Sequence, residues 1–425
     1  MKVKYIKNSE KLALDENRQL ALQIIEAGYQ ALDTAVLIEK TIHLDGDNLH
    51  IGPKTYQVSN YDNIYVIGFG KLSCQAAGTT EKILGPLIKK GVVIGMADNL
   101  CQIIETHTGT HPVAGGANIE ATKKIINLGE NATEKDLVIT IVSGGGSALL
   151  CDSQTEAKQS QKLYQSFLKS GGTIFELNTV RKHLSRLKGG GLAKLLYPAE
   201  VVSLIFCDVP GDGYDFVASG PTYQDKSTKA DAEMIINKYD LGDFILNETP
   251  KEDKYFTKVT NLPIVSSKIA LEAMAKAGQQ LSLSTKITSD DLTTSPEAVI
   301  AHLKKESTSA DLILAGGEIS LSVPESTTGL GGRCSTLSLM ALNEIADNQL
   351  FVAFASDGYD NTPSAGAIAD HHTKQKSKEK KLNPEAFLKN FDSYNFFKLT
   401  DDLIETDKIE SNVSDLMFLL TIPKK

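Results

Sequence analysis

Leu137-Val-Ile-Thr-Ile-Val142, running directly into Ser143-Gly-Gly-Gly-Ser147, constrains this chain more than any other stretch. Six mostly β-branched apolar residues read as a strand buried on both faces, the kind found inside a parallel sheet. The glycines let the backbone turn sharply at the strand's end and approach a ligand, because no Cβ intervenes. Ligands of open α/β sheets settle at the carboxyl ends of strands. A loop of free N–H groups there suits a phosphate or another oxyanion. Gly-Gly-Gly alone is better read as a tight turn that binds nothing, and it is the recurrence of such loops that favours a ligand.

The same strand-then-loop order recurs along the chain. Ile64–Ile67 ends in Gly68-Phe-Gly-Lys71, and Val201–Phe206 ends in Cys207-Asp-Val-Pro-Gly-Asp212. Asp311–Ala315 ends in Gly316-Gly-Glu318, and Leu350–Ala355 ends in Ser356-Asp-Gly-Tyr-Asp360. Apolar residues at helical spacing predict helices over residues 17–37, 74–84, 117–128, 160–169 and 270–277, and Arg333 precedes another over 335–345. Ile319–Val323 alternates like a hairpin partner for the strand before it, and the basic run Lys374–Lys381 reads as a solvated loop. Strands alternating with helices imply a wound, largely parallel sheet. A chain of 425 residues exceeds one core. The change to polar sequence within residues 223–261 marks the expected boundary between two domains.

A net charge of −9 argues against nucleic acid or an anionic membrane as partner. The five cysteines are dispersed without a C-x-x-C pair, which points to reduced thiols. The sequence begins without a signal-peptide pattern, and no apolar run reaches membrane-span length. A cytoplasmic location is expected.

The residues gathered at strand ends are the parts of a phosphoryl-transfer site, which needs dense charge neutralisation and alignment more than covalent chemistry. Lys71, just past Gly68-x-Gly70, could reach a phosphate, although the Walker A pattern is absent and a surface lysine after a turn is the plainer alternative. Arg333, after Gly331-Gly332, could grip phosphate or carboxylate bidentately, or simply be solvated. Asp357 or Asp360 could take a proton from a substrate hydroxyl. Asp208 and Asp212 suit magnesium, or merely close a Pro-Gly turn. His107 and His111 are separated by Gly109 and followed by Pro112, which disfavours a zinc pair. Positions 68, 70 and 73 read Gly, Gly and Ser, an incomplete dinucleotide fingerprint.

Taken in order, Ser143-Gly-Gly-Gly-Ser-Ala148, Asn178-Thr-Val-Arg-Lys-His183, Lys188-Gly-Gly190, Asp208-Val-Pro-Gly-Asp212, Ala218-Ser-Gly-Pro-Thr222, Gly316-Gly-Glu318, Gly331-Gly-Arg333 and Asp357-Gly-x-Asp360 resemble the class II glycerate 2-kinases, whose C-terminal part is the MOFRL domain. The resemblance runs from about Ile64 to Asp370. It implies an α/β fold of two domains, a larger Rossmann-like wound parallel sheet over residues 1–255 and a smaller α/β MOFRL domain over 256–425, with the active site in the cleft between them. It implies ATP- and Mg2+-dependent phosphorylation of the 2-hydroxyl of D-glycerate or a related hydroxy acid. Residue by residue, the catalytic set falls on Lys71, Arg333 and Asp357. Gly68, Gly70, Ser143, Gly144, Gly145, Gly146, Ser147 and Lys188 are the expected nucleotide-binding set. Asn178, Arg181, Glu318 and Asp360 are expected at the acceptor, and Asp208 and Asp212 at the metal. The partners implied are ATP and a small hydroxy acid, with a homodimer left open. The sequence departs from the family at Cys334-Ser-Thr336, at Val113-Ala-Gly115 and at Ser364, which bears on the identity of the acceptor. Two other functions stay open: an NAD(P)H-dependent hydroxypyruvate reductase, which would need a dinucleotide fingerprint, and a silent ligand-binding protein.

Overall fold

The structure, a computed structural model, describes residues 4–97, 101–167, 170–207, 213–321, 323, 327–409 and 411–422. The chain forms two compact units, one holding residues 34–209 and 213–264, the other 1–33 and 265–425. Residues 4–33 thus belong to the second unit. Helix Glu16–Leu32 packs on helix Ser267–Gln280, where Gly28 leaves room for the Met274 side chain. Arg18 fixes it there, buried and bonded at 2.7 Å to both Asp370 and Asp402. Hydrophobic periodicity marks this helix correctly but carries no information about its distant carboxylate partners.

After helix Thr34–Thr41, the first unit carries a three-stranded antiparallel ribbon that the alternation analysis leaves unread: β1 (Ile42–Asp45), β2 (Asn48–Ile51) and β3 (Lys54–Gln57). Its main sheet comprises β4 (Asn63–Phe69), β5 (Ile88–Gly95), β6 (Ile104–Thr108), β7 (Asp136–Val142), β8 (Glu200–Phe206) and β9 (Val259–Val265), ordered β6-β5-β4-β7-β8-β9. The pairs β4/β5, β5/β6, β4/β7 and β7/β8 are parallel, as expected. Every residue of β7 is buried, because strands flank it on both sides and helices cover the sheet. The order is that of a Rossmann sheet. Successive strands run outward from β4 to β6, then resume on the other side at β7. The gap between the ends of β4 and β7 is thus the topological switch point, where such sheets place their ligands.

The second unit carries β10 (Thr285–Ser289), β11 (Leu312–Gly317), β12 (Gln349–Ala355), β13 (Gly366–Ala369), β14 (Leu403–Ile404) and β15 (Asp415–Thr421), ordered β10-β11-β15-β12-β13-β14. The strand antiparallel to β11 is β15, near the C-terminus, and not Ile319–Val323. β15 also pairs antiparallel with β12, so it lies inside the sheet and six of its seven residues are buried. Lys374–Lys381 is not a loop: helix His371–Glu379 covers most of it, capped by Asp370, whose carboxylate accepts from Thr373 N at 3.0 Å. Its exposed charges mask the helix from hydropathy alone.

Candidate active site

In the first unit, the loops leaving β4 and β7 are tied to each other at the switch point. Lys71 N donates to Gly144 O at 2.9 Å, and Ser143 N donates to Phe69 O at 3.1 Å. The buried Ser143 hydroxyl accepts from Leu72 N at 3.1 Å, so this serine holds the loops together. A Cβ on Gly70, whose φ is +128°, would stand 2.5 Å from the Ser143 carbonyl oxygen, a contact no side chain survives. Gly145, at φ +78°, lies beneath Lys71 and His111: a Cβ there would be 3.1 Å from Lys71 Cγ and 3.0 Å from the His111 ring. Lys71 is exposed, and no described carboxylate pairs with its ammonium. Burial, and then the charge of Lys71, lower the pKa of His111. A cation and a readily deprotonated imidazole over a glycine loop suit an anionic ligand.

Beside this loop runs a chain of side chains. Ser147 Oγ and Ser219 Oγ are 2.9 Å apart, Ser219 Oγ donates to Asn178 Oδ1 at 3.2 Å, and Arg181 Nη1 donates to the same oxygen at 3.1 Å. Arg181 bonds no described carboxylate, and burial lowers its pKa. A half-buried guanidinium with no described counter-ion is suited to carry an incoming one. Thr173 and Glu176 form the capping box of the helix Ile174–His183 that presents Asn178 and Arg181.

Two expected members stand apart. Lys188 is 1% exposed; its ammonium is ion-paired with the buried Glu156 and donates to Leu150 O at 2.8 Å. Its ammonium is thus committed to interior partners. Gly68 lies within β4, where a Cβ would crowd both Val93 methyls at 3.0 Å, so its smallness serves strand packing. Gly146 starts the short helix Gly146–Leu149 and abuts Ala218. Asp208 and Asp212 lie outside the described residues.

The second unit gathers Arg333, Glu318, Asp357, Asp360 and Asp415. Arg333 opens helix Arg333–Leu342. Its Nε donates to Asp415 Oδ2 at 2.8 Å and its Nη1 to Glu318 Oε1 at 2.5 Å. Partial burial works against its charge, but Asp415 and Glu318 outweigh that and hold the guanidinium more firmly protonated than usual. A cavity of about 410 Å³ beside it is lined by Ile319, Leu321, Val323, Gly331, Gly332, Arg333, Asn361 and Phe391. Asp357 is half-buried; its Oδ1 accepts from Tyr359 N at 3.0 Å and its Oδ2 from Asn412 Nδ2 at 3.3 Å. Burial pushes its carboxyl above the usual range, against the pull of the Tyr359 N–H.

Asp360, expected at the acceptor, is instead the clamp on the helix that carries Arg333. Its carboxylate accepts from Cys334 N and Ser335 N, both at 2.8 Å, and from the Ser335 hydroxyl at 2.9 Å. Gly332 must lack a Cβ because one would stand 2.1 Å from Asp360 Oδ2. Burial, opposed by those donors and reinforced by Asp415, pushes the Asp360 pKa up to about 7. The folded state therefore keeps this proton to higher pH than an unfolded aspartate, ordinarily near 3.8. The stability so gained is complete below about pH 4 and lost as pH rises through 7. Denaturant titrations are expected to show on the order of 2 kcal/mol lost between pH 5 and 8, and a shallower slope in Asp360→Asn. Parallel slopes for parent and variant would contradict the assignment.

Three residues of these clusters were not assigned from sequence: His111, Ser219 and Asp415. His111 enters the sequence reading only as half of a disfavoured zinc pair, and Ser219 lies within Ala218–Thr222 without a ligand role. Asp415 precedes an apolar run, Leu416-Met-Phe-Leu-Leu420, whose strand pattern was the available signal. The departures at Ser335 and Thr336 are buried, and both hydroxyls lie 3.0 Å from Ser393 Oγ.

Comparison with known proteins bears on these clusters. A domain of unknown function, DUF4147, matches residues 20–249, and the MOFRL family matches residues 311–415. A D-glycerate 2-kinase of Thermotoga maritima is 32% identical over 95% of this chain and 98% of its own. A putative hydroxypyruvate reductase of Agrobacterium vitis is 34% identical over 84% of this chain and 86% of its own. The crystal structure of a glycerate kinase from Thermotoga maritima superposes with a TM-score of 0.85 at 29% identity, covering 95% of this chain and 99% of that one. Both domain families in order, with a relative matched almost end to end, place the chain in the glycerate 2-kinase family.

Proposed function

We propose that this protein transfers the terminal phosphoryl group of ATP to the 2-hydroxyl of D-glycerate or a closely related hydroxy acid. The observation that carries this is the Lys71 side chain, whose ammonium has no described counter-ion, lying against Gly145 at the sheet's switch point. Kinase relatives spanning nearly the whole chain supply further support.

Lys71 and the loop amides bind phosphate oxygens, and Arg181, braced by Asn178, accepts a second anionic group. Arg333 neutralises the transferring phosphoryl group. Glu318 is exposed, so its ion pair with Arg333 is cheaply exchanged for a phosphate oxygen, whereas Asp415 is buried and keeps the guanidinium aimed. Asp357, its carboxyl raised by burial, is the base that orients the acceptor hydroxyl and takes its proton as the new P–O bond forms. Magnesium would neutralise the phosphate charge; Asp208 and Asp212, its proposed ligands, lie outside the described residues.

The test is ADP release with ATP, Mg2+ and D-glycerate beside a panel of small hydroxy acids, with the product's phosphate position assigned. Silence from folded protein across the panel would overturn the assignment. Lys71→Ala is expected to lower kcat by roughly 10²–10³-fold with an unchanged melting temperature.

A further inference from the structure

Asp15, His371 and His372 converge on a spot in the second unit that the phosphoryl-transfer chemistry does not use. Their ligand-capable atoms all lie within 4.8 Å of one another. His372 Nε2 is 3.0 Å from Asp15 Oδ2, and the two imidazole rings lie 3.9 Å apart at their centroids. Neighbouring ligands of a tetrahedral zinc ion are about 3.4 Å apart, given metal–ligand bonds near 2.0–2.1 Å. Small side-chain rotations therefore suffice to close the set. Local structure already divides the labour of Asp15: Oδ1 caps helix Glu16–Leu32 by accepting from Arg18 N at 2.8 Å, which leaves Oδ2 for a cation. No described residue hydrogen-bonds a ring nitrogen of His371.

The surroundings favour a cation as well. Arg18, the nearest guanidinium, is neutralised by Asp370 and Asp402, and Asp402 also pairs with Lys376. With Asp15, three carboxylates face these two cations. Two imidazoles and one carboxylate are ligands suited to zinc and its neighbours and poorly suited to magnesium.

We propose that Asp15, His371 and His372 bind a divalent transition-metal ion, Zn2+ in the first instance, with water completing the coordination. Such an ion clips the N-terminal segment to a helix that follows it by more than 350 residues. Its role is structural.

The metal-stripped full-length chain is titrated with Zn2+ by calorimetry, and with Co2+ to read ligand type. One equivalent is expected to bind, with a Co2+ spectrum free of thiolate charge transfer, which separates this site from the cysteines. The melting temperature is expected to rise by roughly 5 °C at a hundredfold excess over the dissociation constant. His371→Ala and Asp15→Asn are each expected to weaken binding more than tenfold. Asparagine remains a good N-cap, so Asp15→Asn removes the ligand charge while leaving the helix start intact. Absence of a bound equivalent, or affinity unchanged in both variants, would overturn the proposal.

Discussion

Arg333→Ala is expected to lower kcat by about 10³-fold, at the lower end of what removing a transition-state arginine costs in phosphoryl transfer. The structure adds a second consequence, because the substitution strands Asp415, a carboxylate that is 2% exposed, without its counter-charge. Stability should therefore fall together with activity, and the two effects need separating. Arg333→Ala with Asp415→Asn removes the stranded charge and is expected to recover most of the melting temperature and none of the turnover. Arg333→Lys keeps the charge but cannot span Asp415 and a phosphoryl oxygen with one planar fork, so it should remain at least tenfold impaired. Glu318→Gln removes only the exposed partner and should change kcat little. A single Arg333→Ala variant within tenfold of the parent would remove the arginine from the mechanism.

Lys188→Ala is expected to cost about 3–5 kcal/mol, the range for removing one partner of a buried ion pair. For a unit of this size that is a melting temperature roughly 10 °C lower. The cause is Glu156, 2% exposed, which loses its only described cation and retains the Asp152 N–H at 2.9 Å. Replacing both partners, as Lys188→Met with Glu156→Gln, should restore at least half of the loss, because a neutral pair carries little desolvation penalty. A nucleotide-binding lysine would behave otherwise: its loss would raise KM for ATP and leave the melting temperature and the Glu156 background irrelevant. Thermal unfolding of the two variants, beside KM for ATP, discriminates the roles.

The contrast between Lys71 and Lys188 illustrates how far residue patterns reach. Each follows or precedes glycines, and each lies in a motif with the look of an anion loop. Lys71 emerges exposed over Gly145; Lys188 is drawn inward by a glutamate 32 positions earlier. Asp357 and Asp360 diverge in the same way. Three residues apart on one loop, one remains half-buried near the surface while the other becomes the clamp on a helix that begins 27 residues before it. Whether a polar side chain serves a ligand or the fold depends on which distant partner reaches it, and spacing along the chain does not encode that partner.

By itself, the sequence determined what short-range physics controls. The β-branched run of β7 could be only a fully buried strand, and the glycines after it could sustain a positive φ and a contact with Lys71 that a Cβ would crowd at 3.1 Å. Alternation of such strands with amphipathic helices dictated a wound sheet, and the order of motifs identified the family. Tertiary structure alone decided the rest. It drew the N-terminal helix to Asp370 and Asp402, seated β15 between β11 and β12, and brought Asp415 to Arg333 and Asp15 to His372. Each of these pairings spans tens to hundreds of residues. Such contacts form because burial leaves a charge or a strand edge that some partner must satisfy, and only the folded chain determines which partner is near enough.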